Sequence, residues 1–155
     1  MLLSVGEPKA KDHFSLEQAD DYSMLALSIR QPYVELILRG MKTVEFRSRA
    51  TRVVGKRFYL YAARPKTRDE RLDARAIAAL GPDGKPPART AAKTPAVTPA
   101  SPAKTLPDGV IVGTAVVTAV TGSAGHYQWH LGNVKRLRRP RKPTRHPQPV
   151  WFSPF

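Results

Sequence analysis

The hydrophobic pattern of residues 24–47 predicts a strand, a helix and a second strand in quick succession. An apolar run over residues 24–29 has the length of a strand, and Pro32 then stands where the first turn of a helix tolerates proline. Aliphatic side chains cover one face of the next two turns, and Gly40 follows where a left-handed residue ends a helix. The sequence therefore predicts a short helix over residues 32–39.

Residues 42–47 alternate between polar and apolar side chains and predict the second strand. Because successive side chains of a strand point to opposite faces, Thr43, Glu45 and Arg47 share one face and the apolar residues between them point to the other. Glu45 and Arg47 are therefore neighbours that can form an ion pair. Lys42 lies at the turn that precedes them, from which its side chain can reach a cleft.

Three further strands are predicted downstream. Residues 55–62 are rich in aromatic side chains, residues 109–121 are rich in valine and threonine, and residues 126–131 alternate around Tyr127 and Trp129. Gly113 lies inside the second of these strands, where a glycine predicts a bend or a bulge.

One longer helix is predicted between these strands. Thr67 and Glu70 have the spacing of a capping box, in which each side chain bonds the backbone of the other residue. The helix that follows is predicted to end at Gly81. Four apolar residues fit one face of this helix: Leu72, Ala76, Ala79 and Leu80.

Two segments show no pattern of a packed element. Residues 82–108 are dominated by alanine, proline, threonine and lysine, and they predict a disordered, low-complexity insertion. Residues 1–23 carry five acidic side chains and predict a flexible extension. Because strands outnumber helices and do not alternate with them regularly, we expect the α+β class, mainly β, as a small mixed β-barrel with flanking helices.

We expect a single domain over residues 24–155, and its composition limits the class of partner that it binds. The chain of 155 residues has a formal net charge of +14, which indicates a polyanionic partner, most often nucleic acid. The N-terminus lacks the basic and apolar regions of a signal peptide, and no apolar run approaches the roughly 18 residues that span a bilayer. We therefore expect a cytoplasmic protein that does not bind membranes.

The sequence contains no motif that indicates a metal or a cofactor. The absence of cysteine excludes disulfides, thiolate metal sites and cysteine nucleophiles. The four histidines have no spacing typical of a metal site, so we predict neither a metal nor a cofactor. His126 and His130 are predicted to be edge or half-buried strand residues, and a role as general acid or base in RNA cleavage is the alternative.

The segment SIRQPYVELILRGMKTVEFRSR, residues 28–49, resembles the opening motif of the ASCH domain family, within the PUA-like superfamily. Later pieces such as GKRFYLYAA, GVIVGTAVV, HYQWHL and PQPVWF follow in the family's order, so the resemblance covers roughly residues 24–151. It implies a PUA-like barrel with a cleft beside the first helix. The motif residues expected at this cleft are Arg30, Gln31, Lys42, Thr43, Glu45 and Arg47.

The resemblance also implies a function. ASCH domains are thought to bind RNA or other nucleic acid, and some members are described as ribonucleases or as amidohydrolases of acetylated cytidine. We therefore expect an RNA-binding module whose cleft holds a base or nucleotide. The alternative is a small hydrolase of RNA or a modified nucleoside, with Lys42 and Glu45 as catalytic residues; the amidohydrolases have a threonine where Glu45 stands, which favours binding.

Each candidate binding residue also has a plainer structural explanation. Glu45, Arg47 and Arg30 either line a pocket or form a structural ion pair at the mouth of the barrel. Trp129 and Trp151 either pack in the core or provide flat faces for base stacking.

A basic cluster near the C-terminus completes the candidate interface. It comprises Lys135, Arg136, Arg138, Arg139, Arg141, Lys142 and Arg145, and the sequence contains no acidic residue after Asp108. We expect these side chains to bind phosphates, which gives steep salt dependence without base specificity. A merely solvated face and binding to anionic lipid are the alternatives, and the prolines in the run disfavour the amphipathic helix that lipid binding would use.

Overall fold

A computed structural model of the protein describes residues 24–80 and 105–155. Its elements are β1 (Ala26–Arg30), α1 (Tyr33–Leu38), β2 (Val44–Arg47), β3 (Arg57–Ala63), α2 (Arg68–Ala79), β4 (Val110–Ser123), β5 (His126–Arg141) and β6 (Trp151–Phe152). The predicted extension over residues 1–23 and most of the predicted insertion over residues 82–108 lie outside the described residues.

The described strands form one mixed sheet in the order β2-β5-β4-β3-β1-β6. β1 and β3 are parallel, and the other pairs are antiparallel. The predicted α+β class, mainly β, is confirmed. The barrel is not closed, because β2 and β6 remain edge strands of four and two residues that share no backbone ladder. A side chain spans the gap instead: Arg47 of β2 donates a hydrogen bond to the Ser28 carbonyl of β1 over 2.9 Å.

Apolar side chains cover both faces of the central strands. One cluster includes Leu27, Phe58 and Val112 and packs against Val34 and Ile37 of α1. A second cluster consists of Ala26, Tyr59, Ile111 and Phe152. Because neighbours along a strand point to opposite faces, the continuous apolar runs of β1, β3 and β4 supply both clusters.

The contact between α1 and the sheet explains the glycine of β4. A Cβ atom at Gly113 would lie 2.6 Å from a methyl carbon of Leu38 and 2.6 Å from the carbonyl oxygen of Lys135. The register of β4 against β5 shifts between Ile111 and Gly113, which confirms the predicted irregularity at this glycine. A side chain here would force α1 and β5 apart.

The capping box of α2 is confirmed, whereas its predicted apolar face is not the buried one. Thr67 accepts a hydrogen bond from the Glu70 amide, and the Glu70 carboxylate accepts from the Thr67 amide. Glu70 and Ala78 are buried, but Leu72 is 51% exposed. The reason is that Glu70 also forms an ion pair with Arg30 of β1 over 3.0 Å, which turns this face of the helix towards the domain.

β5 is much longer than the predicted strand over residues 126–131. It continues to Arg141, which pairs with Ile111 of β4. Residues with weak strand preferences are held here because β4 offers a long partner, and three register shifts accommodate the mismatch. The basic cluster therefore begins on a strand and not in an irregular tail.

Candidate nucleic-acid interface

A cleft of about 680 Å³ lies beside the N-terminal end of α1. β1 and β2 form one side of it, and the segment over residues 147–149 forms part of the other. We call it the motif cleft. Its charged and aromatic lining residues include Arg30, Tyr33, Lys42, Glu45, Phe46 and Arg47.

The wall of the motif cleft carries a carboxylate held between two cations. Glu45 accepts a hydrogen bond from the Lys42 ammonium at 2.8 Å through one oxygen and contacts the Arg47 guanidinium at 3.1 Å through the other. Lys42 also donates to the Val44 carbonyl oxygen. Because an ionised carboxylate has about four acceptor positions, Glu45 retains acceptor capacity for a ligand.

Arg47 connects the cleft to the core behind it. Its guanidinium lies 5.7 Å from the centre of the Trp129 ring, in addition to its bonds to Glu45 and the Ser28 carbonyl. Its buried Nε atom has no hydrogen-bond partner among the described residues. Arg47 therefore both lines the cleft and holds β2 near β1.

The other predicted motif residues divide between the cleft and its support. Arg30 lines the cleft and pairs with Glu70. Gln31 is buried behind it and donates a hydrogen bond to the Pro107 carbonyl over 2.8 Å. Thr43 is exposed and does not line the cleft, while its carbonyl accepts from the Leu131 amide. Only part of the motif is brought together.

The partner of Arg30 is held in its ionised form. Burial alone would raise the pKa of Glu70, but hydrogen bonds from the Lys66 and Thr67 amides and the charge of Arg30 outweigh it, so the pKa lies below its ordinary value. Glu70 thus stays charged and keeps Arg30 directed along the edge of the cleft.

The two tryptophans pack against each other, Trp129 buried and Trp151 partly buried, and neither lines the motif cleft. Trp129 is 2% exposed and stacks on Trp151, with ring centres 5.7 Å apart and planes inclined by 11°. The Trp129 indole N–H donates to the Arg49 carbonyl over 3.0 Å. Trp151 also meets Phe58 edge to face. In this arrangement the tryptophans support the cleft from behind.

Two aromatic rings that the sequence analysis missed are exposed at the cleft. Tyr33 is 37% exposed and Phe46 is 67% exposed, and the Phe46 ring centre lies 5.6 Å from the Lys42 ammonium. Two signals point to them in retrospect. Tyr33 lies off the apolar face of α1. Phe46 stands between Glu45 and Arg47 on β2, so its side chain points away from the charged face, which turns inward.

The basic cluster separates into cations with different partners. Arg136 forms a bidentate pair with the buried Glu35 of α1, at 2.7 and 3.0 Å. Arg141 lies over the Phe155 ring at 4.2 Å. The side chains of Lys135, Arg138 and Arg139 are exposed along β5, and those of Lys142 and Arg145 are exposed on the segment that follows.

Neither a metal site nor a membrane span is evident in the part of the chain that the structure describes. Its histidine and acidic side chains form no group of three or more that could hold a metal ion. No helix within residues 24–80 and 105–155 has both the length and the apolar character to cross a bilayer. A cytoplasmic location stays a prediction.

The chain also matches the model of a known protein family. The model of the ASCH domain matches residues 27–140, which include most of β1 and β5, all of the elements between them, and Lys42, Glu45 and Arg47. The match ends before Lys142, Arg145 and the segment 147–149 of the cleft. No curated protein matches the chain.

Proposed function

The chain belongs to the ASCH domain family, and we propose that it binds single-stranded RNA, with one base or nucleotide held in the motif cleft. Family membership supports an RNA-binding module at the level of the family. One observation carries the finer proposal: a carboxylate between two cations shares a cleft with two exposed aromatic rings. These are the groups that recognise an unstacked base and its phosphates.

The groups at the cleft match the parts of a nucleotide. Glu45 offers carboxylate oxygens to the amino group of a base, as acidic side chains do towards cytosine. Tyr33 and Phe46 offer ring faces, and base stacking on an aromatic side chain is worth about 1 to 3 kcal/mol. Arg30 and Lys42 provide positive charge for phosphate oxygens.

The net charge of the chain supports binding along a strand beyond one nucleotide. Lys135, Arg138 and Arg139 are exposed on β5, and their side chains form no ion pair or hydrogen bond with the described residues. Phosphate contacts of this kind add affinity without reading the base. Binding is therefore expected to weaken steeply as salt rises.

The hydrolase hypothesis uses the same cleft. It requires Lys42 to act as a nucleophile or electrostatic stabiliser and Glu45 to act as a base. The Lys42 ammonium donates to Glu45 and to the Val44 carbonyl, which is the arrangement of a fixed cation. This geometry favours binding, and the two hypotheses differ in whether a product forms.

Phe46→Ala tests the proposal directly. Because Phe46 is largely exposed, its removal is expected to leave the fold intact and to weaken binding of a labelled single-stranded RNA about tenfold, the cost of one lost stacking contact. Fluorescence anisotropy at several salt concentrations measures the affinity. Leu72→Ala is the matched control, because it shortens an exposed apolar side chain on α2, outside the cleft.

Equal affinities of the Phe46→Ala and Leu72→Ala variants would contradict the cleft as the base site, and absence of RNA binding by the wild type would overturn the whole proposal. The recovered RNA and an acetylcytidine sample are analysed for products. Cleaved RNA or released acetate that disappears in Lys42→Ala would establish the hydrolase instead.

A further inference from the structure

A second, strongly basic hollow adjoins the motif cleft. It has a volume of about 540 Å³, and the cations at its surface are Arg64, Lys142 and Arg145, next to His146. Tyr61 and Pro147 line both this hollow and the motif cleft, so the two spaces meet at these residues. We call it the basic hollow.

The segment that carries two of these cations is fixed to the domain by its backbone. The Thr144 and Arg145 amides donate hydrogen bonds to the Pro154 carbonyl at 2.9 and 3.2 Å. Pro154 lies between Phe152 of the second core cluster and Phe155, whose ring meets that of Tyr59 edge to face. The cations therefore project from a segment that is held in place.

The cations of the basic hollow are little compensated. The side chains of Lys142 and Arg145 form no ion pair or hydrogen bond with the described residues. Arg64 pairs with Asp108 at 3.2 Å, but both side chains are exposed, and such pairs contribute little. A concave surface lined by charge of one sign concentrates the potential that attracts an anion.

The residue at the junction does not oppose an anion. Burial raises the pKa of Tyr61, and the nearby Arg64 lowers it by less, so the pKa stays above its ordinary value and the phenol is neutral. A neutral phenol can donate a hydrogen bond to a phosphate oxygen.

We propose that the basic hollow is a phosphate subsite that continues the base site, so that a bound nucleotide places its base in the motif cleft and a phosphate beside Lys142 and Arg145. This inference rests on the proposed function and narrows its ligand to phosphorylated nucleotides or strands, in preference to free nucleosides. Neither cation lies within the residues that the ASCH model matches. Both belong to the segment that follows β5.

The test compares ligands that differ by one phosphate. A nucleoside and its 5′- and 3′-monophosphates are titrated into the full chain by calorimetry, and labelled single-stranded RNA is measured by anisotropy. In the wild type, one of the monophosphates is expected to bind at least about tenfold tighter than the nucleoside, because a charge-assisted contact is added. The variant Lys142→Gln/Arg145→Gln is expected to lose this advantage and to retain the nucleoside affinity.

Arg52→Gln/Lys56→Gln is the matched control. It removes one arginine and one lysine charge from exposed positions before β3, outside the hollow and the motif cleft, and is expected to keep the preference for the monophosphate. Arg64→Gln provides a single exposed change inside the hollow and is expected to reduce the same preference. Thermal unfolding of each variant verifies that the fold is intact.

The outcomes separate this inference from the proposed function. If the hollow and control variants lose RNA affinity equally while Phe46→Ala still weakens binding, the subsite is wrong and the base site stands. A wild type that prefers neither monophosphate over the nucleoside also overturns the subsite. If Phe46→Ala has no effect and only the hollow variant weakens RNA binding, the phosphate site stands and the base cleft is wrong.

Discussion

Two carboxylates of this domain are each held between two cations, yet they serve different ends. Glu35 on α1 contacts Arg39 and Arg136, each at 2.7 Å. Glu45 on β2 contacts Lys42 at 2.8 Å and Arg47 at 3.1 Å. Glu35 is covered by the helix and β5, whereas Glu45 and both of its cations line the motif cleft.

The difference lies in what each network joins. Arg136 is far from Glu35 in the sequence, so that network exists only once α1 has docked on β5. The cations of Glu45 lie three residues before it and two after it, so its network needs only a turn and a strand. The Glu35 network therefore joins α1 to β5, whereas the Glu45 carboxylate and its two cations line the motif cleft, where a ligand can reach them.

Glu35→Gln is expected to have the largest effect, on stability. It removes a carboxylate from two cations, one of them with a nearly buried side chain, so we expect the free energy of unfolding to fall by about 3 kcal/mol. Urea denaturation measures it, with Asp73→Asn on the exposed face of α2 as the charge-matched control. A loss no greater than that of Asp73→Asn would show that the Glu35 network contributes nothing to stability.

Glu45→Gln is expected to act on binding more than on folding. The neutral amide accepts more weakly than the carboxylate, so we expect affinity for single-stranded RNA to fall about fivefold, with a stability loss of about 1 kcal/mol. Anisotropy and urea denaturation give the two values. The Asp73→Asn control is again matched in charge and is expected to bind RNA as well as the wild type. If Glu45→Gln lost as much stability as Glu35→Gln and bound RNA as well as the wild type, the two networks would not differ in role.

Mild acid is expected to give the smallest effect, and it tests the Glu35 network by pH. Burial alone would raise the pKa of Glu35, but hydrogen bonds from Arg136 and Arg39 hold it below its ordinary value of 4.5. A depressed pKa stabilises the fold above the unfolded value, and this contribution is lost as pH falls from about 4.5 through the lower folded pKa.

Urea denaturation from about pH 6 down to about pH 3.5 checks this expectation. The Glu35→Gln variant is expected to lose less stability over this range than the wild type, because it has no carboxylate at this position to protonate. The Glu70 carboxyl, whose pKa is also lowered, contributes to the slope that remains. Identical slopes in the two proteins would contradict a role for Glu35 in acid sensitivity.

The part of the fold that could be predicted from the sequence depends on local signals. The strand, helix and strand over residues 26–47 follow from an apolar run, a proline and a glycine within a few positions of one another. The capping box of α2 is equally local. These features are specified by neighbours in the sequence, and the structure confirms them.

The missed features depend on partners that are distant in the sequence. α2 buries Glu70 and not Leu72 because Arg30 of β1 pairs with Glu70. β5 extends to Arg141 because β4 runs beside it. The basic pattern of the C-terminal cluster did not distinguish Arg136, which pairs with Glu35, from the exposed Arg138.

The candidate site shows the same division. The alternation of residues 42–47 predicted the pairing of Glu45 with Arg47, but it did not show that Trp129 lies against the Arg47 guanidinium and stacks on Trp151. It also gave no reason to single out Phe46, whose exposure follows from the inward direction of the charged face.

The stacking of Trp129 on Trp151 has a practical consequence for experiments on binding and unfolding. These are the only tryptophans of the chain, and their indoles stack on each other, Trp129 from β5 and Trp151 from β6, with the guanidinium of Arg47 over the Trp129 ring. Intrinsic fluorescence therefore reports on one place in the molecule, and two parallel indoles in contact are expected to give a coupled near-ultraviolet dichroism signal. Undocking of the C-terminal strand or a shift of Arg47 as a ligand enters would become visible without any label.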